Sequence, residues 1–157
     1  MREKAIAQLV DGIQYYKDGT WYDMSEWVEE EETVSERLVP VENSIYDNIV
    51  VQSETERRFV EKVKRRKDVR FFVKLPGWFK VTTPVGQYNP DWGLVMEEGN
   101  AFGDPGPLLY LVRETKSTTA ATELRGTENQ KNHCGKRHFE GALNVDYKVI
   151  TSADELP

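Results

Sequence analysis

The stretch Leu108-Leu109-Tyr110-Leu111-Val112-Arg113-Glu114-Thr115-Lys116 constrains the fold more than any other part of the sequence. Apolar residues occupy both odd and even positions before Arg113, so a strand here carries apolar side chains on both faces. Such a strand belongs in the centre of a sheet, where an unpaired charge is costly. Side chains alternate between faces, which puts Tyr110, Val112, Glu114 and Lys116 together. A carboxylate and an ammonium thus end a largely apolar strand side by side. Taken alone, that dyad is open to two readings: an ordinary ion pair at a strand end, or part of a catalytic group.

Other elements fall into place around this strand. Ser53-Glu54-Thr55-Glu56 has the form of a capping box, with Ser53 as N-cap and Glu56 at the third helical position; Phe59, Val60 and Val63 follow at helical spacing. Strands are expected at Val69 to Val73, around Trp78 to Val81, at Trp92 to Met96 and at Leu108 to Lys116. Pro76-Gly77, Thr83-Pro84 with Gly86, and Glu98-Gly99-Asn100 punctuate them, and residues 103–107 read as a loop. A second helix is expected from about Glu128 to Leu143, with Gly135 and Gly141 working against it, and a last strand from Val145 to Ile150. The order is helix, three or four strands, helix, strand, which is an α/β arrangement. Ahead of it, residues 1–52 read as an extension holding a hairpin over Gln14 to Tyr22, turned at Asp18-Gly19, and an acidic linker at Glu29 to Glu32. Residues 53–157 form the expected domain, and 157 residues suffice to bury a core without disulfides or structural metal.

Charge and composition exclude some classes. Hydrophobic residues at 38% against 31% charged describe a polar chain, and no apolar run approaches the roughly 20 residues of a membrane span. The N-terminus lacks the charged-then-apolar pattern of a secretory signal, so a cytoplasmic protein is expected. The single cysteine, Cys134, cannot form an internal disulfide. His133, Cys134 and His138 fall short of the four well-spaced ligands of structural zinc, so Cys134 reads as a small packing residue. A net charge of -6 argues at first against a nucleic-acid partner, yet residues 53–74 hold nine Lys/Arg against four Asp/Glu. Global charge therefore decides little.

Asn89-Pro90-Asp91-Trp92 places a carboxylate where a proline-led turn enters the strand ahead of Leu108. Paired as a hairpin, those two strands bring Asp91 and Glu114 together. Converging carboxylates suit Mg2+, a hard cation that prefers oxygen ligands and keeps several waters. Such an ion favours a nucleophilic hydroxide and offsets charge on a phosphate, while a nearby lysine adds positive charge or positions the attacking water. Asp91 has the alternative of capping the turn. Glu56, in line with Phe59, Val60 and Val63, is either the capping-box carboxylate or an extra metal ligand. Lys131, Lys136 and Arg137 on the second helix are candidates for phosphate contacts, as are Lys62, Lys64, Arg65, Arg66 and Lys67, which a solvated helix face explains equally well.

Pro90-Asp91 followed by Glu114-Thr115-Lys116 resembles the PD-(D/E)XK nuclease signature. The wider run Val73-Lys74-Leu75-Pro76-Gly77-Trp78-Phe79-Lys80, Thr83-Pro84-Val85-Gly86, Tyr88-Asn89-Pro90-Asp91-Trp92 and Leu111-Val112-Arg113-Glu114-Thr115-Lys116 resembles the C-terminal endonuclease domain of the restriction (Res) subunit of type III restriction enzymes. Ser53 to Val60, Gly135-Lys136-Arg137-His138-Phe139, the N-terminal hairpin and Ser44-Ile45-Tyr46-Asp47 share that likeness, which spans essentially the whole chain. The resemblance implies a restriction-endonuclease-like core of order α-β-β-β-α-β, with a central mixed sheet flanked by helices. It further implies Mg2+-dependent hydrolysis of duplex DNA and assembly with a methyltransferase (Mod) subunit that reads the sequence. Asp91, Glu114 and Lys116 would be catalytic, with Asp91, Glu114, the Thr115 main-chain carbonyl and Glu56 around the metal. In that family a helicase-like ATPase precedes this domain, but no Gly-rich Lys-Ser/Thr phosphate loop occurs in this sequence, so ATP use does not carry over. The chain reads as an excised domain or a truncated gene product. Two other readings stand beside a nuclease of this kind: an idle DNA-docking or subunit-interaction remnant, and another nuclease family with the same fold.

Overall fold

The computed structural model describes residues 12–17, 19, 37–99, 106–117 and 126–157. Two short antiparallel strands, β1 (Leu38–Pro40) and β2 (Asn48–Val50), lead into helix α1 (Glu54–Val63). Strand β3 (Val69–Lys74), a hairpin of β4 (Val81–Thr83) and β5 (Gly86–Tyr88), and the strands β6 (Trp92–Glu97) and β7 (Leu108–Thr115) follow. Helix α2 (Gly126–Lys136) runs directly into a π-helical segment, Arg137–Ala142, ahead of β8 (Asp146–Ile150) and a 3-10 turn, Ala153–Glu155. The central sheet has the order β3-β6-β7-β8, with antiparallel pairs except for the parallel pair β7-β8. A parallel neighbour needs a crossover, and α2 supplies it. The result is the α-β-β-β-α-β core with a central mixed sheet expected from the sequence, and β7 is an interior strand as its two apolar faces demand.

Each face of the sheet is covered. Ser53 starts α1 by accepting the Glu56 N–H on its hydroxyl at 3.1 Å, which satisfies one of the donors left open at a helix start. The helix then buries Phe59, Val60 and Val63 against Phe72, Trp92, Leu94 and Leu111, with the rings of Phe59 and Trp92 5.0 Å apart. Burial of each such side chain stabilises the fold by about 1.5–3 kcal/mol. Val39, Val41, Ile49 and Val51, which precede Ser53, join this same core. On the opposite face Val112 and Tyr147 meet Val81, Tyr88 and Phe139, and Phe139 stacks on Tyr147 at 5.8 Å.

The strand expected around Trp78 to Val81 is displaced. Phe79 N–H closes a turn on Pro76 O at 2.9 Å, so the chemistry of Pro76-Gly77 carries through Trp78, which is 41% exposed. The strand begins at Val81 and pairs with Gly86–Tyr88 instead of entering the central sheet. Pro84 and Val85 form the two-residue connection, and Gly86 takes φ 110°, a backbone region that side chains disfavour. The second helix does not stay α-helical over its whole expected length but changes to π-helix at Arg137. Gly135 does not break it, because the helix presses there on two tyrosines: a Cβ would lie 2.6 Å from Tyr88 Cε1 and 3.3 Å from Tyr147.

Of the hairpin expected over residues 14–22, residues 14–17 and 19 carry no strand, and the rest lies outside the described residues, as does the acidic run at 29–32. The described N-terminal segment is tied to the α2 side of the sheet. Tyr15 donates to Thr82 O and Arg137 Nε to Ile13 O, both at 2.9 Å. Among the described residues no helix is long and apolar enough to cross a membrane.

Candidate active site

Strand register brings the first two candidates together. Trp92 stands opposite Arg113 in the β6-β7 ladder, so the antiparallel register carried one step further sets Asp91 against Glu114 at the end of the sheet. Lys116 N–H donates to Ile150 O on β8, so the preceding Thr115 N–H points the other way, toward β6. There β6 begins only at Trp92, and the Asp91 carboxylate takes the place of a ladder carbonyl. Its Oδ2 accepts the Thr115 N–H at 2.7 Å and the Thr115 hydroxyl at 2.8 Å. Trp92 Nε1 donates to that hydroxyl at 3.1 Å and fixes its direction. Asp91 therefore caps the end of the neighbouring strand, not its own turn, and its register sets it against Glu114.

Glu114 is 4% exposed and held at both oxygens. Oε1 pairs with Lys116 Nζ at 2.9 Å, and Oε2 accepts the Tyr88 hydroxyl at 3.0 Å. Lys116 also lies 3.6 Å from Glu128 Oε1. Burial, followed by the charge of Asp91, pushes the Glu114 carboxyl up to about 7 despite Lys116 and Tyr88. Asp91 is raised by burial as well, partly countered by the two Thr115 donors, while Glu56 adds to the rise. Burial alone would lower the Lys116 ammonium, but Glu114, Asp91 and Glu128 outweigh it and hold it above its usual value. A pocket of about 220 Å³ opens beside the group, lined by Gln87, Tyr88, Asn89, Glu114, Lys116, Glu128, Lys131 and Asn132.

The remaining candidates separate. Glu56 is buried, but its Oε2 takes the Lys74 ammonium at 2.7 Å and the Gln52 N–H at 2.8 Å. Its charge reaches Asp91, but its oxygen is spent on Lys74 and on the start of α1. Among the described residues no group of three or more His, Cys, Asp or Glu side chains is placed to hold a metal ion, so Asp91, Glu114 and Glu56 do not make a three-sided cage. Lys131 lines the pocket; Lys136 is exposed and 3.8 Å from Glu140; Arg137 is occupied by Ile13 O. In the α1 region Lys62 pairs with Asp154, Lys64 and Arg65 with Glu61, and Arg66 with Asp68. Cys134 is fully buried, as its packing reading requires. Tyr88, Tyr147, Asn132 and Glu128 escaped the sequence reading, because they come from three separated segments and carry no spacing signal.

The donor set suits a hard divalent cation. Burial raises both carboxyls, that of the buried Glu114 and that of the half-buried Asp91, and one ammonium beside them offsets only one of the two charges they carry when ionised. An ion with oxygen ligands that retains several waters needs only one or two protein carboxylates.

No curated protein and no solved structure matches the chain. The sequence model of the endonuclease-domain family matches residues 42–153, a span that runs from the β1-β2 connection to the 3-10 turn and takes in Asp91, Glu114 and Lys116. The chain belongs to the endonuclease-domain family, and its nuclease chemistry has its candidate centre at the paired ends of β6 and β7.

Proposed function

We propose that this domain hydrolyses phosphodiester bonds of duplex DNA with Mg2+, as the endonuclease part of a type III restriction system. The observation that carries the reading is the Glu114-Lys116 pair facing Asp91 across two strand ends, beside an open pocket, in a chain of the endonuclease-domain family. Asp91 and Glu114 would hold the metal, with the Thr115 carbonyl as a further oxygen donor. When bound, Mg2+ supplies a Lewis acid for the scissile phosphate and makes a water easier to deprotonate. Lys116 directs its ammonium at the attacking water or at the charge growing on the phosphate, and Glu114 orients that ammonium at 2.9 Å. Thr115 holds Asp91 by two hydrogen bonds, so this carboxylate needs little reorganisation on metal binding. Lys131, across the pocket wall, serves a phosphate of the same strand, with the exposed Lys136 at the end of the same helix as a further candidate. Glu56 neutralises Lys74 beside Asp91 and holds the start of α1.

The type III assignment rests on the resemblance of the residues from Val73 to Lys116 to the Res endonuclease domain. It makes a methyltransferase subunit the reader of DNA sequence and a helicase-like ATPase the source of translocation. Nicking of supercoiled plasmid in Mg2+ and in EDTA tests the chemistry, with the chain alone and with it joined to the helicase-like segment and the methyltransferase. Metal-dependent nicking lost in Glu114→Gln supports the proposal. Parental chain that leaves plasmid intact in every assembly, while still binding the methyltransferase, supports the idle docking module.

A further inference from the structure

Behind Glu114 lies a row of buried polar groups that no step above uses. Tyr88 donates to Glu114 Oε2 at 3.0 Å, the hydroxyls of Tyr88 and Tyr147 are 2.6 Å apart, and the Tyr147 hydroxyl is 3.4 Å from Asn132 Oδ1. All three residues are buried, and Asn132 Nδ2 lies in the interior without an acceptor among the described residues. With Glu114 ionised, as a metal ligand is, two phenolic protons cannot serve three oxygen-to-oxygen contacts. An ionised Glu114 takes the Tyr88 proton, Tyr88 takes the Tyr147 proton at the shorter distance, and the Tyr147 oxygen then faces the amide oxygen with no proton between them. Amide oxygen and nitrogen fill nearly the same volume, so the network decides which of them faces Tyr147. A half-turn of the amide pairs the orphaned nitrogen and leaves a carbonyl oxygen in its place, the less costly group to leave unpaired.

We infer that Asn132 Nδ2, Tyr147 and Tyr88 form a one-way chain of donors that ends on Glu114 Oε2, and that these three are positioning residues for Glu114. Each link points its hydrogen toward the carboxylate, which stabilises the anion and fixes its plane. The backbone is arranged to permit this. Gly135 lets α2 approach closely enough for Asn132 to reach the tyrosines, since a Cβ there would meet Tyr88 Cε1 at 2.6 Å. Tyr88 comes from the β4-β5 hairpin, Tyr147 from β8 and Asn132 from α2, so the chain joins three elements behind one carboxylate. This role rests on the reading of Glu114 as a metal ligand.

Mn2+ binding to the chain, followed by electron paramagnetic resonance, tests the role without any cleavage assay. Removing a partner of a metal ligand weakens metal binding by about 10- to 100-fold, and that loss is expected for Tyr88→Phe with an unchanged melting temperature. Asn132→Asp discriminates the orientation: it keeps an oxygen toward Tyr147 and adds a negative charge, so it would hold Mn2+ at least as well as the parent if the amide oxygen faced Tyr147. Loss of binding in Asn132→Asp is the expected result, and parental binding overturns the chain's direction. Parental binding in Tyr88→Phe overturns the positioning role. Slow exchange of the Asn132 side-chain amide protons by 15N NMR, made fast by Tyr147→Phe, upholds the chain even if one variant fails to fold; fast exchange in the parent overturns it. Parental chain with protected Asn132 protons and no Mn2+ binding overturns the metal reading of the site while the chain of donors stands.

Discussion

Glu114 and Asp91 meet at the sheet end with one ammonium close by, and the cost of that arrangement has a definite sign. The carboxyl of Glu114 stands at about 7 in the folded chain against an ordinary 4.5, raised first by burial and then by Asp91. Between those values the folded protein keeps a proton that the unfolded chain releases, so rising pH removes stability across this window and the loss is complete above it. The cost is on the order of 3 kcal/mol at alkaline pH. Urea unfolding in EDTA should therefore find Glu114→Gln more stable than the parent at pH 8, with the gain vanishing below the ordinary carboxylate range. Equal midpoints at pH 8 would contradict a strained Glu114. Lys116→Ala is expected to cut cleavage at least about 100-fold with fold and Mn2+ binding kept, because its ammonium acts on the reacting groups and not on the ion. Asp91→Ala removes binding and cleavage together, and parental cleavage rates in Lys116→Ala would return the dyad to an ordinary ion pair. These three residues were legible in the sequence because a strand's two-residue period and a proline-led turn fix them locally. Tyr88, Asn132 and Tyr147 were not legible: their meeting depends on how the β4-β5 hairpin, α2 and β8 pack, and no local pattern encodes that.

Elements were readable in proportion to how much of their stability is local. Helix α1 starts at the residue that its capping signal names, since Ser53 serves as N-cap, and β3, β6, β7 and β8 lie within a residue or two of the expected bounds. Ser53→Ala should cost about 1 kcal/mol by the loss of one cap bond. The displaced second strand shows the opposite case: Val81–Thr83 finds its partner across a tight turn and not in the main sheet, a choice set by two loop residues and Gly86. The glycines of the second helix were read alike but do different things. A Cβ at Gly135 would strike Tyr88, whereas at Gly141 it would meet nothing within 4 Å. Gly135→Ala is thus expected to destabilise by about 1–3 kcal/mol through overpacking. Gly141→Ala should be neutral or stabilise by up to about 1 kcal/mol, because alanine orders a helical backbone at lower entropic cost. Thermal unfolding of the two variants side by side measures the contrast, and equal melting temperatures would mean that α2 does not press on the tyrosines.

At the scale of the whole molecule, charge and its distribution set the terms for meeting DNA. The chain carries a net charge of -6, and Lys62 of α1 together with Lys64, Arg65 and Arg66 just after it are paired with Asp154, Glu61 and Asp68. Arg137 is turned to Ile13 O, which leaves Lys116 and Lys131 at the pocket and the exposed Lys136 at the end of α2 as candidates for phosphates. Phosphate contacts supply affinity through counterion release but carry no sequence information. The isolated domain should therefore bind duplex DNA weakly, at roughly micromolar affinity or worse, and equally for different sequences. With about three phosphates neutralised, the logarithm of the binding constant should fall with the logarithm of salt at a slope near -3, a loss of roughly 10- to 100-fold between 50 and 200 mM. Fluorescence anisotropy on labelled duplexes at several salt concentrations gives both numbers. Lys131→Ala should lower the slope by about one unit for every sequence alike. Tight binding to one sequence over scrambled controls that persists at high salt would place sequence reading in this chain. It would thereby remove the reason to look for a separate subunit as the reader.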